Sequence, residues 1–247
     1  AGLVSVAAPE SVARTLHQVV NEGTTLPLPE TGAGTIGAEA LPVVIERASR
    51  FDAVAIGPGM SRDPETVEFI KKAVTEIERP MVIDADAVNA LAGEPEALST
   101  RAAATVITPH IRELSRLLDA PAETLEVNRV EAARDAARRT ESVVVLKGFR
   151  TLVASPSGTV WVIPVGGPVL ATGGSGDVLT GIVGTFLASL GPERVDQEAA
   201  ASAAWAAAWI HGRCGDLQSA LRGERGVIAG DLTEVLPEVI RLVQEGA

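Results

Sequence analysis

Tyrosine is absent from this chain, and cysteine occurs once, at Cys214. A single cysteine excludes an intramolecular disulfide and fits a reducing compartment, so a cytoplasmic location is expected. With three Trp and four Phe, the core has to be aliphatic, and the hydrophobic share is 46%. No apolar run reaches the ~20 residues that a membrane-spanning helix needs. No basic-then-apolar leader opens the chain. Positive charge is scarce too: 21 Lys and Arg stand against 32 Asp and Glu, a net charge of −11. That balance argues against nucleic acid or an anionic membrane as partner, and any positive potential for an anionic ligand has to be local. The chain carries no G-x-S-x-G, C-x-x-C or H-E-x-x-H, and neither the P-loop nor the Rossmann glycine pattern.

What the chain does have is a stretch that organises the rest: Gly166-Gly167-Pro168-Val169-Leu170-Ala171-Thr172-Gly173-Gly174-Ser175-Gly176-Asp177. It follows the β-like run Val160–Ile163. It precedes a helical pattern in which Val178, Leu179, Ile182, Val183, Phe186 and Leu187 recur at helix spacing. In this strand, glycine loop, helix order the helix points free N–H groups and its positive dipole end at the loop, which suits a phosphate. Asp177 would repel that phosphate. It makes sense as a base for a hydroxyl that receives the phosphoryl group. The alternative is a flexible loop with Asp177 as a helix-start residue. The dipole is expected to lower the pKa of Asp177 and keep it ionised.

Continuous apolar runs at 3–7, 53–56, 81–84, 104–108 and 143–147 alternate with helical patterns. They predict an α/β fold with one mainly parallel sheet, helices on both faces, and strand ends that converge on one cleft. Residues 22–37, rich in Gly, Pro and Thr, read as a loop. Residues 151–165 read as a hairpin. Residues 128–140, with four Arg, read as a solvated helix. The Ala-rich stretch 197–213 reads as a helix buried on most sides and ending at His211-Gly212, and the last helix as starting at Asp231. The Gly57-Pro58-Gly59 segment is either a ligand-binding strand end or a tight turn. Asp84 and Asp86 either bind a metal or serve structural hydrogen bonds. The βα alternation is continuous, so residues 1–247 are read as one domain. The chain opens inside a strand, Leu3–Ala7, without an initiator Met, and is expected to be a fragment or processed product.

Taken in order, the strand ends match a family. Gly57-Pro58-Gly59, then Asp84-Ala85-Asp86-Ala87-Val88-Asn89-Ala90-Leu91, then Thr108-Pro109-His110 with Glu113 and Leu117 occur first. Leu146-Lys147-Gly148 with Thr151, then Ala171-Thr172-Gly173-Gly174-Ser175-Gly176-Asp177, follow. His211-Gly212 with Gly215-Asp216, and Ile228-Ala229 with Asp231-Leu232, complete the series. Over nearly its whole length the chain resembles the ADP/ATP-dependent NAD(P)H-hydrate dehydratases, repair enzymes with a ribokinase-like fold.

The resemblance implies dehydration of (S)-hydrated NADH and NADPH, driven by hydrolysis of ADP or ATP with Mg²⁺. It implies that Asp177 is the catalytic base and that Gly59, His110 and Asp177 face the substrate. Lys147, Gly148, Phe149, Arg150 and Thr151, with Gly174, Ser175 and Gly176, would bind the nucleotide. No metal ligand is assigned, and a homo-oligomer is expected. Three departures from the family pattern stand out: Met60-Ser61 replace Leu-Gly, Arg112 replaces Gly, and Gly167 replaces Asn. Family members also carry a segment upstream of Ala1 that contributes to the substrate site. Two other functions stay open on the sequence alone: a vitamin-precursor kinase of the same superfamily, and a nucleotide-binding module without turnover.

Overall fold

The computed structural model describes residues 1–246. A six-stranded sheet runs in the order β3 (Val54–Ile56), β4 (Met81–Ile83), β5 (Thr105–Ile107), β6 (Val143–Leu146), β7 (Leu152–Ala154) and β8 (Val160–Val162). β3 to β6 are parallel, and β7 and β8 return antiparallel as the expected hairpin. The fold is thus the expected α/β one, with a mainly parallel central sheet.

The first apolar run lies elsewhere. β1 (Ser5–Pro9) pairs with β2 (Thr24–Leu28) in a parallel two-stranded sheet of their own, joined by α1 (Glu10–Val19). This corrects two expectations, that residues 3–7 join the central sheet and that 22–37 is all loop. Pro27 hides β2 in the sequence. Both strands of a two-stranded sheet are edges, where a proline's missing donor is tolerated.

Each buried strand sends alternate residues to opposite faces. Val82, Val106 and Val145 pack against α8 (Ser175–Leu190) and α9 (Gln197–Arg222) through Leu179, Val183, Ala204 and Ala207. Ile83, Ile107, Val144 and Leu146 pack on the other face, against Phe69 of α3 (Pro64–Glu76), Leu114 of α5 (Ile111–Leu118) and Ala133 of α7 (Arg129–Thr140). The alternation decides where the site lies. The next residue after β4 and after β6 swings back toward α8, and those residues are Asp84 and Lys147.

The remaining helices are α2 (Leu41–Ala48), α4 (Ala85–Ala90), α6 (Ala122–Val127) and α10 (Ala229–Gln244), the last packed on α9. α9 does not stop at His211-Gly212 but runs on to Arg222. Its alanines at 200, 201, 203, 204, 207 and 208 are buried, while Trp205 stands at the surface. Small side chains bring this helix close to the sheet, and larger ones would overpack it. α10 begins two residues before the expected Asp231. The Asp231 carboxylate caps from inside the first turn, accepting the Ile228 N–H at 2.8 Å.

Candidate active site

Where β4 and β6 end, Lys147 Nζ lies 2.6 Å from Asp84 Oδ1, and Asp84 is 1% exposed. The other carboxylate oxygen accepts the Thr180 hydroxyl of α8 at 2.8 Å. Asp84 therefore ties β6 and α8 together through one buried charge. Both Asp84 and Asp86 make structural hydrogen bonds, as one of their two readings expects. Asp86 accepts the Ser61 N–H at 2.9 Å and fixes the turn after β3. Among the described residues no group of three or more His, Cys, Asp or Glu is placed to hold a metal ion.

Gly176 sits over this pair. A Cβ there would lie 3.3 Å from Lys147 Nζ and 3.8 Å from Asp84 Oδ2. Gly174 enters α8 at φ 85°, a left-handed conformation that glycine adopts without strain. As the second and third residues of α8, Gly176 and Asp177 have amides with no acceptor inside the helix. They point outward as anion donors.

Asp177 occupies the first turn, with its side chain at the surface. Its pKa is raised, not lowered as the dipole argument expects. Partial desolvation contributes most, the Asp84 charge adds to it, and Lys147 offsets only part. The sequence-based argument counted the dipole and could not see the second carboxylate.

Glu113 lies 3.9 Å from Lys147 on the far side. Burial opposes its ionisation, yet the His110 hydrogen bonds and the Lys147 charge outweigh burial and hold its carboxyl below the usual range. His110 caps α5. Its Nδ1 accepts the amides of Arg112 and Glu113 at 3.1 and 3.3 Å, so Nε2 carries the proton and faces Glu113 Oε1 at 3.2 Å. The ring is thus anchored by its own helix, with an exposed edge left for a ligand. Arg112 is exposed beside it.

In the Gly57-Pro58-Gly59 turn, the constrained residue is Gly57. Its φ is 126°, and a Cβ would fall 1.8 Å from the Asp84 carbonyl oxygen. Gly59, the residue expected to face substrate, is unobstructed.

The 147–151 segment leaves β6 and is gripped by Arg129. That guanidinium donates to the Leu146 and Lys147 carbonyls at 3.4 Å and also to Phe149. Arg129 is only 17% exposed, so the helix at 128–140 is not simply solvated. Sequence reasoning missed this residue, because nothing in a charged helix marks which arginine turns inward. Phe149 is 78% exposed and stacks with Arg150, whose side chain donates to the Pro164 carbonyl. The Thr151 hydroxyl bonds the Gly148 carbonyl at 3.2 Å. Ser175 is buried, and its hydroxyl lies 3.0 Å from His211 Nε2. Its side chain points inward, away from the ligand side. Burial pushes His211 down to about 4, with Lys147 adding to the effect, so the ring is a neutral imidazole.

The structure thus brings together Asp177, Gly176 and Lys147 with Asp84, one of the two carboxylates singled out in the sequence, and with the unforeseen Thr180. Glu113 links His110 to the same cluster. A half-buried, charge-compensated lysine beside unpaired helix amides and a carboxylate of raised pKa suits transfer of a phosphoryl group to a hydroxyl.

Comparison with known proteins bears on this geometry. The sequence profile of the NAD(P)H-hydrate dehydratase family matches residues 1–238. The bifunctional NAD(P)H-hydrate repair enzyme Nnr of Moorella thermoacetica is 42% identical over 245 residues, covering 99% of this chain and 45% of that protein. This chain therefore spans less than half the length of that curated relative. Among solved structures, the ADP/ATP-dependent NAD(P)H-hydrate dehydratase from Bacillus subtilis, co-crystallized with ATP/Mg²⁺, superposes with a TM-score of 0.76 at 28% identity. The match covers 97% of this chain and 78% of that one. A ribokinase-like superfamily protein from Enterococcus faecalis superposes with a TM-score of 0.74 at 23% identity, covering 98% of this chain and 77% of that one. That likeness is one of fold.

Proposed function

The chain belongs to the NAD(P)H-hydrate dehydratase family, and from that premise we propose that it dehydrates (S)-hydrated NADH and NADPH at the expense of ADP or ATP. The observation that carries the proposal is the placement of Asp177 beside the Asp84–Lys147 pair at the amide-lined start of α8.

A ring hydroxyl is a poor leaving group, and a phosphate ester is a good one. Asp177 accepts the hydroxyl proton as the oxygen attacks the terminal phosphorus of the nucleotide. Its raised pKa makes it a stronger base than an ordinary aspartate. The new O–P bond forms as the bond to the leaving nucleotide breaks. The amides of Gly174, Gly176 and Asp177 hold the transferred charge. The ester then loses phosphate from one ring carbon and a proton from its neighbour, which restores the dihydronicotinamide. Lys147 neutralises phosphate charge, and Gly148 to Thr151 border the nucleotide. A Mg²⁺ ion held by the nucleotide phosphates would supply further charge neutralisation there, as is usual for this hard cation. The carboxylates near Lys147 form no cage for a separate ion.

Gly59 and the open edge of His110 face the substrate. Residues 1–246 form one domain in this reading. Leu28 and Ile36 share the core of α3, α4 and α5, which supports it. Association of identical copies and a cytoplasmic location belong to the same proposal, and sedimentation of the purified chain tests the first. Among the described residues no helix is long and apolar enough to cross a membrane.

The test is incubation with hydrated NADH, Mg²⁺ and either nucleotide while dihydronicotinamide absorbance is followed. Absorbance should rise with phosphate release, one for one. Accumulation of a phosphorylated alcohol without dihydronicotinamide would replace the dehydratase with a kinase. Nucleotide binding with no consumption of hydrate would leave a binding module.

A further inference from the structure

One motif of the sequence has no part in the chemistry above: His211-Gly212 with Gly215-Asp216, in the middle of α9. The four residues fall at helix positions i, i+1, i+4 and i+5, and therefore on one face. That face meets the glycine-rich loop at its start, middle and end. At the start, Asp216 Oδ1 accepts the Gly166 N–H at 3.0 Å. There too a Cβ on Gly212 would lie 2.7 Å from the Val165 side chain and 3.0 Å from its carbonyl oxygen. In the middle, a Cβ on Gly215 would lie 2.7 Å from Leu170. At the end, His211 Nε2 bonds the Ser175 hydroxyl at 3.0 Å.

We propose that this face of α9 is a cradle that sets the position of the loop, with His211 and Asp216 as positioning residues for the phosphoryl-holding amides of Gly174, Gly176 and Asp177. The proposal rests on the reading of that loop as the phosphoryl site. Two glycines inside a helix weaken it relative to alanine. Here the loss accompanies a backbone approach that any side chain would block. α9 is packed against the central sheet through its buried alanines. A loop referenced to it at three points keeps its amides fixed before ligand arrives, as electrostatic catalysis requires. The contact at Ser175 is neutral, so it holds the first turn of α8 without adding charge beside Lys147. The competing explanation is that the motif only stabilises the α9–α10 pair.

The experiment compares His211→Ala, Asp216→Ala and Asp216→Asn with Cys214→Ala, a buried position on the same helix in the apolar cluster that α10 shares with Val169 and Leu170 of the loop. Hydrogen exchange of the 166–178 segment is read in the whole chain, with turnover and ADP affinity alongside. The cradle predicts loop exchange at least ~10-fold faster in both alanine variants at the two contacts, because local opening controls exchange. It predicts turnover lower by about 10–100-fold, the scale of a 1 Å misplacement, with ADP affinity little changed. Asp216→Asn keeps an acceptor for Gly166 and should restore both readings. Cys214→Ala should lower the melting temperature and speed loop exchange by less than either contact variant does.

Loop exchange in Asp216→Ala and His211→Ala no faster than in Cys214→Ala overturns the proposal. Asp216 is partly exposed, so its variants fold even where His211→Ala does not, and they then decide the matter together with Ser175→Ala. Exchange that responds as expected in a chain that never consumes hydrated NADH would keep the cradle and remove the dehydratase reading.

Discussion

On its sheet side the first turn of α8 meets charge, and on its α9 side it meets none. The sheet side presents Asp84 and Lys147, 2.6 Å apart, with Glu113 behind them. The α9 side presents a buried neutral imidazole, bonded to the turn's own Ser175 hydroxyl. Both sides hold the same turn, and each uses a different physics. In the proposed reaction the charged side faces the incoming phosphate, where a lysine is useful and its compensating carboxylate keeps it in place until then. The neutral side sets distance and angle, and extra charge there would disturb the base. A break on the charged side should therefore change chemistry and affinity. A break on the neutral side should change geometry and pH response.

The largest effect is expected at Asp177, which borders the charged side. Asp177→Asn keeps the shape and the helix start but removes base and charge. Turnover should fall by about 10²–10⁴-fold. Nucleotide affinity should hold or improve, because a repulsion is gone, and the melting temperature should stay near the parent value. Steady-state rates and ADP titration calorimetry check this. Turnover within a few-fold of the parent would reduce Asp177 to a helix-start residue.

Next in size is the pair itself. Lys147→Ala removes a phosphate partner, and ADP and ATP should bind about 10-fold or more weakly, as for loss of a charge-assisted hydrogen bond. The fold should be weakened as well, since Asp84 is then buried without its cation. Removing one partner of a buried pair costs about 3–5 kcal/mol, and Lys147 keeps some solvent contact, so we expect the lower end. Adding Asp84→Asn should recover most of that loss, while nucleotide affinity stays weak. Urea unfolding of the single and double variants separates the two effects. A Lys147→Ala protein as stable as the parent would remove the pair from the ledger of the fold.

The difference between the two sides also explains what could be read in advance. Short apolar runs that end in glycine, aspartate or lysine betray parallel strands. So β3 to β6, the hairpin and the candidate residues Asp177 and Lys147 were legible. Partnerships across 63 and 96 residues of chain, Lys147 with Asp84 and Asp84 with Thr180, were not. Only the sheet register brings them together. The rise in the Asp177 pKa follows from that hidden carboxylate. β2 was masked by Pro27. The passage of α9 beyond Gly212 was masked because a glycine ends a helix by local rules but continues one where a backbone must come close. Family resemblance marked His211 and Asp216 without saying what they touch.

The smallest effect at neutral pH, and the one that isolates the uncharged side, concerns His211. Its folded pKa is depressed to about 4 from an ordinary 6.5, chiefly by burial. Between those values the unfolded chain binds a proton that the folded chain does not. Unfolding stability must therefore rise with pH across that window and fall as pH drops through it. The contribution is nearly absent at pH 7.5, about 1 kcal/mol lost at pH 6 and about 2 kcal/mol at pH 5. Carboxylates titrate over the lower part of the same range, so the parent curve alone is not diagnostic. His211→Gln retains a polar contact for Ser175 and cannot take up a proton. The difference in unfolding free energy between parent and variant should therefore shift by about 2 kcal/mol in the variant's favour from pH 7.5 to pH 5. A difference that stays constant over that range would mean that the folded protein protonates the imidazole as readily as the unfolded chain does, and the support at Ser175 would then become charged as the pH falls.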